Sequence, residues 1–378
     1  MGILKLRRLA FWALVLVPAV INTGCSTASY LVQAGIGQLA LYNHERPLQE
    51  VIADPHTPEK VRERLKWVPE IKKMVETELG VKPTSNYTTY VALDRKYVTW
   101  ALTSAEPFEM KTVTWSFPFF GAFPYLGFFK EKTAQDWAHD YQVKGYDTYV
   151  RGASAYSTLG WLRDPMMSSM LYRDKGAMID LIFHESTHGQ IYIKGQVDFN
   201  EQIANYIGDT AEKQWIERTY GVQSKERKAW DEDRSDRRRF GELLHKFADE
   251  LKVYYEKSST QPIDVRRAGK QTRFDTFGHT LETEHWAGRG WGRVGKLITN
   301  NAGLLAFLTY EDEQALFDLL DEKCGGHLKD ALRYLKSFEA EWDRLSSDER
   351  KKTKPQTILV KRLRSNAGSA VCLYLDGQ

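Results

Sequence analysis

The stretch Lys175-Gly176-Ala177-Met178-Ile179-Asp180-Leu181-Ile182-Phe183-His184-Glu185-Ser186-Thr187-His188-Gly189 decides how this chain is read. Met178, Ile179, Leu181, Ile182 and Phe183 make an apolar approach, and the pattern predicts a helix over residues 175–193. His184 and His188 are four apart, which on a helix puts both imidazoles on one face, one turn apart, where they can hold one metal ion. Glu185 follows the first histidine, placed to take a proton from water and hand it on. Two histidines and a carboxylate are costly to bury in so apolar a helix without partners. That cost sets the metal reading above the bland one, a surface helix that happens to carry two histidines. Gly189 is read as room for close packing behind the second histidine.

A catalytic zinc site takes three protein ligands and keeps a fourth position open. Ile191 and Lys194 occupy the positions where a longer motif would place its third histidine or lead to it, so a carboxylate is expected instead. Glu201 in Phe199-Asn200-Glu201-Gln202-Ile203-Ala204 is the candidate, with twelve residues between it and His188. It is predicted to open a second helix running to Tyr220, after a turn at Lys194-Gly195-Gln196-Val197-Asp198. Ala204 is small enough for that helix to pack tightly on the first. Asp198 and Asp209 compete, but Asp198 reads as part of the turn and Asp209 lies two turns beyond Glu201. The expected site is therefore His184, His188 and Glu201 as ligands of Zn2+, with Glu185 as general base.

Working outward, residues 30–80 read as helical with breaks at Pro47, Pro55 and Pro58, and residues 87–93 and 97–102 as strands. Residues 114–129 are strongly aromatic with Gly and Pro punctuation, and read as a packed irregular loop. A helix over 134–143 and a strand over 147–150 precede the motif helix. Beyond it, one long helix is expected over 224–256, its first half densely charged and read as a solvated face with i,i+4 pairs. Further helices are expected over 290–310, 312–322, 327–343 and 346–352. The fold class is α+β, mainly α, as a single domain over 25–378: a mixed part about 25–222 and a helical part about 223–378.

The chain carries 53 Lys and Arg against 50 Asp and Glu, a net charge of +3, which gives no electrostatic case for nucleic acid. Lys5, Arg7 and Arg8 precede an apolar run from Leu9 to Ile21, the form of a signal-peptide core and too short for an ordinary membrane span. Thr23-Gly24-Cys25-Ser26 then resembles the lipobox of bacterial lipoproteins, with Asn22 departing from the apolar residue usual there. That resemblance implies removal of residues 1–24 and lipidation of Cys25. Ser26 implies an outer-membrane destination, facing the periplasm. Cys324 and Cys372 remain; they can pair in an oxidising compartment or stay free, and no Cys-x-x-Cys exists for a zinc ribbon.

The layout of the motif resembles the gluzincin metallopeptidases, whose third ligand is a glutamate on a following helix. Trp115-Ser116-Phe117-Pro118, Pro124 to Phe129, Ala155-Tyr156-Ser157-Thr158-Leu159-Gly160-Trp161, His184 to His188, Phe199-Asn200-Glu201 and Asn300-Asn301-Ala302 together resemble a family of bacterial zinc aminopeptidase lipoproteins, whose activity is itself a family-level prediction. Ser116 stands where that family commonly has cysteine. The resemblance implies a gluzincin-like fold, the active-site helix packed on a small sheet, and peptide-bond hydrolysis of aminopeptidase type at the membrane. Tyr156 could polarise a carbonyl, or simply be core. Asn300 and Asn301 could touch substrate, with helix capping the preferred role. The other histidines read as ordinary. Two rivals stand beside the peptidase: a non-catalytic metal-binding envelope lipoprotein, against which the intact Glu185 argues, and a zinc amidase acting on cell-wall fragments.

Overall fold

The computed structural model describes residues 25–117, 121–156, 158, 162–288, 291–308, 314–365 and 372. The expected leader, residues 1–24, lies outside them, as do Pro118, Ser157 and 159–161. The first helix, α1, is Cys25–Asn43; Pro47 and Pro58 then punctuate the chain as expected, with a short helix Leu48–Ala53 between them and α2 at Glu59–Glu78. Leu65, Val68, Ile71 and Val75 give α2 one buried stripe. Helix α3 is Glu131–Val143, and the motif helix, α4, is Lys175–His188. Asp174 caps α4 by accepting the Ala177 N–H at 2.9 Å.

Helix α4 ends a turn and a half earlier than the pattern predicts. Gly189 is its terminal cap, not a packing notch, and the apolar Ile191 and Ile193 that prolonged the helical pattern are instead buried in the connection. Asn200 fixes that connection: its side chain accepts the Ile193 N–H at 2.8 Å and donates to the Ile193 carbonyl at 2.9 Å. Gly195 makes the bend at φ 76°, a conformation glycine adopts without strain. Helix α5 begins at Val197 and runs to Tyr220, so Asp198 lies in its first turn, and Glu201 sits one turn inside it rather than opening it.

Three sheets are small. β1 (Arg46–Pro47), β2 (Thr89–Val91) and β8 (Met166–Met167) form one; Tyr90, Val91, Met166 and Met167 share a core cluster with Met178 and Ile179 of α4. β3 (Thr99–Ala105) is the centre of a second, between β6 (Tyr125–Phe128) and β7 (Asp147–Ala153), and β4 (Trp115–Phe117) pairs with β5 (Gly121–Phe123). The aromatic stretch read as a loop is therefore three short strands. Its aromatic residues suit a pleated surface, and Trp100 pairs with Phe128 and Leu102 with Leu126. These four face Ala134 and Ala138 of α3. The alternate residues, Thr99 and Ala101 on β3, Gly127 on β6, and Arg151 and Ala153 on β7, form the opposite face, which lines a cleft.

The second half is helical: α6 (Lys225–Lys257), α7 (Ile263–Thr283), α8 (Asn301–Leu308), α9 (Gln314–Lys323), α10 (Leu328–Arg344) and α11 (Pro355–Ser365), with shorter turns between. The sequence reading left residues 263–283 and 355–365 without a helix. Helix α7 buries only a thin stripe, with Phe274, Phe277 and Leu281 facing Phe247 and Leu251 of α6, and its other positions are mostly polar, with Ile263 and Val265 exposed. The charged start of α6 is less solvated than expected, because Arg227 pairs with Glu217 at 2.8 Å and Arg234 with Asp209 at 2.6 Å, both on α5. Cys324 and Cys372 are joined by a disulfide, both buried.

Helices α4 and α5 meet at Gly208, where a Cβ would lie 2.3 Å from Asp180 Oδ1 and 2.7 Å from the Asp180 carbonyl oxygen. Gly208→Ala therefore has to part the two helices, and should cost about 1–3 kcal/mol in urea unfolding. Gly35→Ala on α1, with nothing within 4 Å, should stabilise by roughly 0.5–1 kcal/mol. A Gly208→Ala protein as stable as the wild type contradicts this packing.

Candidate metal centre

The turn after α4 and the close seam at Gly208 bring His184, His188 and Glu201 together. His184 Nε2 and His188 Nε2 lie 3.2 Å apart. Glu201 reaches them from α5, with Oε2 at 3.5 Å from His184 Nε2 and Oε1 at 3.7 Å from His188 Nε2. One ligand atom from each falls within 4.8 Å of the others, the group of this kind found among the described residues. Two atoms about 2.0–2.1 Å from one metal at a tetrahedral angle stand about 3.3 Å apart, so the donors are spaced for a zinc ion with little movement. Two imidazoles and one carboxylate also suit the ion chemically.

The electrostatics bind the trio together. Burial opposes a charged His184, but the hydrogen bond it donates to Glu201 and the charges of Glu185, Glu201 and Asp180 outweigh it, and His184 is pushed up to about 9. His188 is pushed down to about 4 by burial and by its neighbour His184. Burial would raise Glu201, yet the two histidines hold it below the usual carboxylate range. The same trio would present one neutral imidazole and one carboxylate without rearrangement.

Glu185 is buried and stands apart from the trio in the same cleft. Burial pushes it up to about 7, with His184 pulling down and the charges of Glu201 and Asp164 adding to the rise. Tyr87, buried and held at φ 58°, is close enough for its phenol to feel the Glu185 charge. The cleft holds about 790 Å³. Its walls are the sheet face of β3, β6 and β7, helix α1 through Tyr30 and Gln38, and the α4–α5 pair.

Among the other sequence candidates, Tyr156 reaches the cleft wall, with its hydroxyl donated to Gln38 Oε1 and its pKa raised by burial. Asp209 pairs with Arg234 and with Arg237 at 3.7 Å, away from the trio. Asn300 caps α8, accepting the Gly303 N–H at 2.9 Å; Asn301 is buried between Tyr255 and the carbonyls of Glu106 and Glu109. Sequence reasoning missed Asn200, Asp180 and Arg173. Asp180 had a signal, since it lies one turn before His184 on the same helix face; Arg173 and the Asn200 turn had none.

A buried His-His-Glu trio on two packed helices, with a separate carboxylate in the same cleft, makes this a candidate metal-dependent hydrolase. Residues 29–355 match the family model described as "Putative aminopeptidase", and the chain belongs to that peptidase family. No curated protein and no solved structure matches the chain.

The site predicts about one zinc ion per chain, and zinc at a hundred times its Kd should stabilise the fold by about 2.7 kcal/mol. His188→Ala and Glu201→Gln should each lose the bound zinc on dialysis and the zinc-dependent rise in Tm, whereas Glu185→Gln should keep both. Full zinc retention by Glu201→Gln would remove Glu201 from the ligand set.

Proposed function

We propose that this chain hydrolyses peptide bonds with a zinc ion held by His184, His188 and Glu201, Glu185 acting as general base, while lipid-anchored at Cys25 in the bacterial envelope. One observation carries the chemistry: three donors converge at metal-ligand spacing, and a second carboxylate, Glu185, not needed to hold an ion, stands in the same cleft. The placement of the trio on two adjacent helices supports reading the ligands as gluzincin-like.

When bound, zinc supplies Lewis acidity that polarises a carbonyl and acidifies water. The buried Glu185, raised towards neutrality, takes a proton from the water whose oxygen bonds to the peptide carbon. It returns that proton to the nitrogen as the C–N bond breaks, so the departing amine leaves neutral. The apolar and aromatic cleft walls hold the chain of a peptide and exclude bulk water.

Anchoring finds support in α1. Cys25–Asn43 contains no charged residue, and Val32, Ile36 and Leu39, spaced on one face, are exposed. The Cys324–Cys372 disulfide fits an oxidising compartment such as the periplasm.

Two outcomes test this reading. Glu185→Gln should bind zinc as wild type does and cleave peptides roughly 10²–10⁴-fold more slowly; equal rates would sink the mechanism. Cys25→Ser should lose incorporation of labelled fatty acid and leave the membrane fraction. If it still sediments with membranes, a retained leader helix is the anchor instead.

A further inference from the structure

Three carboxylates and three arginines line the cleft: Asp180, Glu185 and Glu201, and Arg151, Arg173 and Arg237. Most have an assigned neighbour. Glu201 faces both histidines, and Glu185 is the proposed base. Asp180 has its carboxylate against α5 at Gly208, on the side of Asp209 and Glu212, whose titration its charge affects. Arg237 pairs with Asp209. Arg151 projects from β7 opposite Ala101 and contributes its charge to Glu201.

Arg173 differs. It lies just before the Asp174 cap of α4, and no hydrogen bond or ion pair joins its guanidinium to another described residue. Its Nε is buried with no acceptor, and its guanidinium lies 5.6 Å from the centroid of the neighbouring Tyr172 ring. Its charge is nevertheless felt at Glu185. An arginine head with a buried N–H left unpaired is expensive, and a planar carboxylate is the group that matches its fork of donors.

We propose that Arg173 is a specificity residue that binds a carboxylate of the substrate beside Glu185, so that the preferred peptides carry a free C-terminal carboxylate or an acidic side chain close to the scissile bond. This rests on the peptidase reading of the same cleft. It gives the site a grip on the negative group of the substrate.

The test uses the full chain and two readouts. Binding is measured by calorimetry on the zinc-loaded Glu185→Gln protein, so that it does not depend on turnover. The ligands are an apolar tripeptide with both ends free, its N-acetyl form, its C-terminal amide, and two further amides carrying Glu or Gln in the middle. Amidation should weaken binding roughly tenfold or more, and N-acetylation less than about threefold. Tighter binding of the Glu amide than the Gln amide would assign the carboxylate to a side chain; preference for the free tripeptide over both would assign it to the C-terminus. Adding Arg173→Gln should erase the discrimination, and Arg173→Lys should restore part of it, with Tm showing that both variants fold. Hydrolysis by the wild type is scored separately: absence of cleavage overturns the peptidase reading, while the binding pattern still decides the role of Arg173. Binding lost on N-acetylation but not on amidation, or discrimination that survives Arg173→Gln, overturns the proposal.

Discussion

His184, His188 and Glu201 each prefer water, yet their ligand atoms lie within 4.8 Å of one another at the seam of α4 and α5, and the surrounding structure holds them there. Mutual hydrogen bonding and charge offset part of the burial penalty, which is why Glu201 stays low while His184 rises. Placement needs more than a motif. Two histidines one turn apart follow from the helix alone, but the carboxylate comes from another element and depends on how that element is aimed. The Asn200 side chain ties down both polar groups of Ile193, and Gly208 lets α5 approach the backbone of α4. Together these two contacts set the angle at which Glu201 enters.

Behind His184 the seam carries a second electrostatic layer. Asp209 and Glu212 of α5 face Asp180 of α4, three carboxylates in one buried neighbourhood. Burial pushes Asp209 up to about 6 and Glu212 up to about 7, the first even against Arg234 and Arg237. Arg234 answers both, at 2.6 Å from Asp209 and 3.2 Å from Glu212, and its guanidinium lies over the Trp230 ring at 5.0 Å. Buried ion pairs of this kind return little net stability, because desolvation consumes most of the attraction. They do penalise any register that leaves a charge unpaired. The charged start of α6 thus acts on the site indirectly: it fixes α5 against α4.

How much of this was legible in the sequence follows from the range of each signal. The His184–His188 spacing and the α4 approach are local patterns, so they could be read, and so could Glu201, since few carboxylates follow within reach. The end of α4 could not be placed, because Ile191 and Ile193 continue an apolar pattern that in three dimensions belongs to a turn folded into the core. The β4–β6 segment was misread because its glycines signal loops, whereas here Gly121 and Gly127 lie within strands. Helix α7 was missed because its thin apolar stripe, Phe274, Phe277 and Leu281, fills only its second half and gives a weak helical period along the whole segment. Arg173 was invisible for a deeper reason: what distinguishes it is a missing partner, and an absence can be recognised only in three dimensions.

The cleft is also joined to the start of the chain. Tyr30 accepts the Gly127 N–H and Gln33 donates to the Gly127 carbonyl, both at 3.2 Å, so α1 is tied to the outer strand β6 through side chains. Gly37 sits where the Phe129 ring would otherwise collide with a Cβ, and Gln38 holds the Tyr156 hydroxyl. Helix α1 is thus a wall of the cleft on one side and, with Val32, Ile36 and Leu39, an apolar surface on the other. With a lipid on Cys25, at the very start of this helix, the element that meets the membrane and the element that closes the cleft would be the same. Anchoring would then orient the cleft as well as tether it, because α1 cannot tilt without pulling on the backbone of β6.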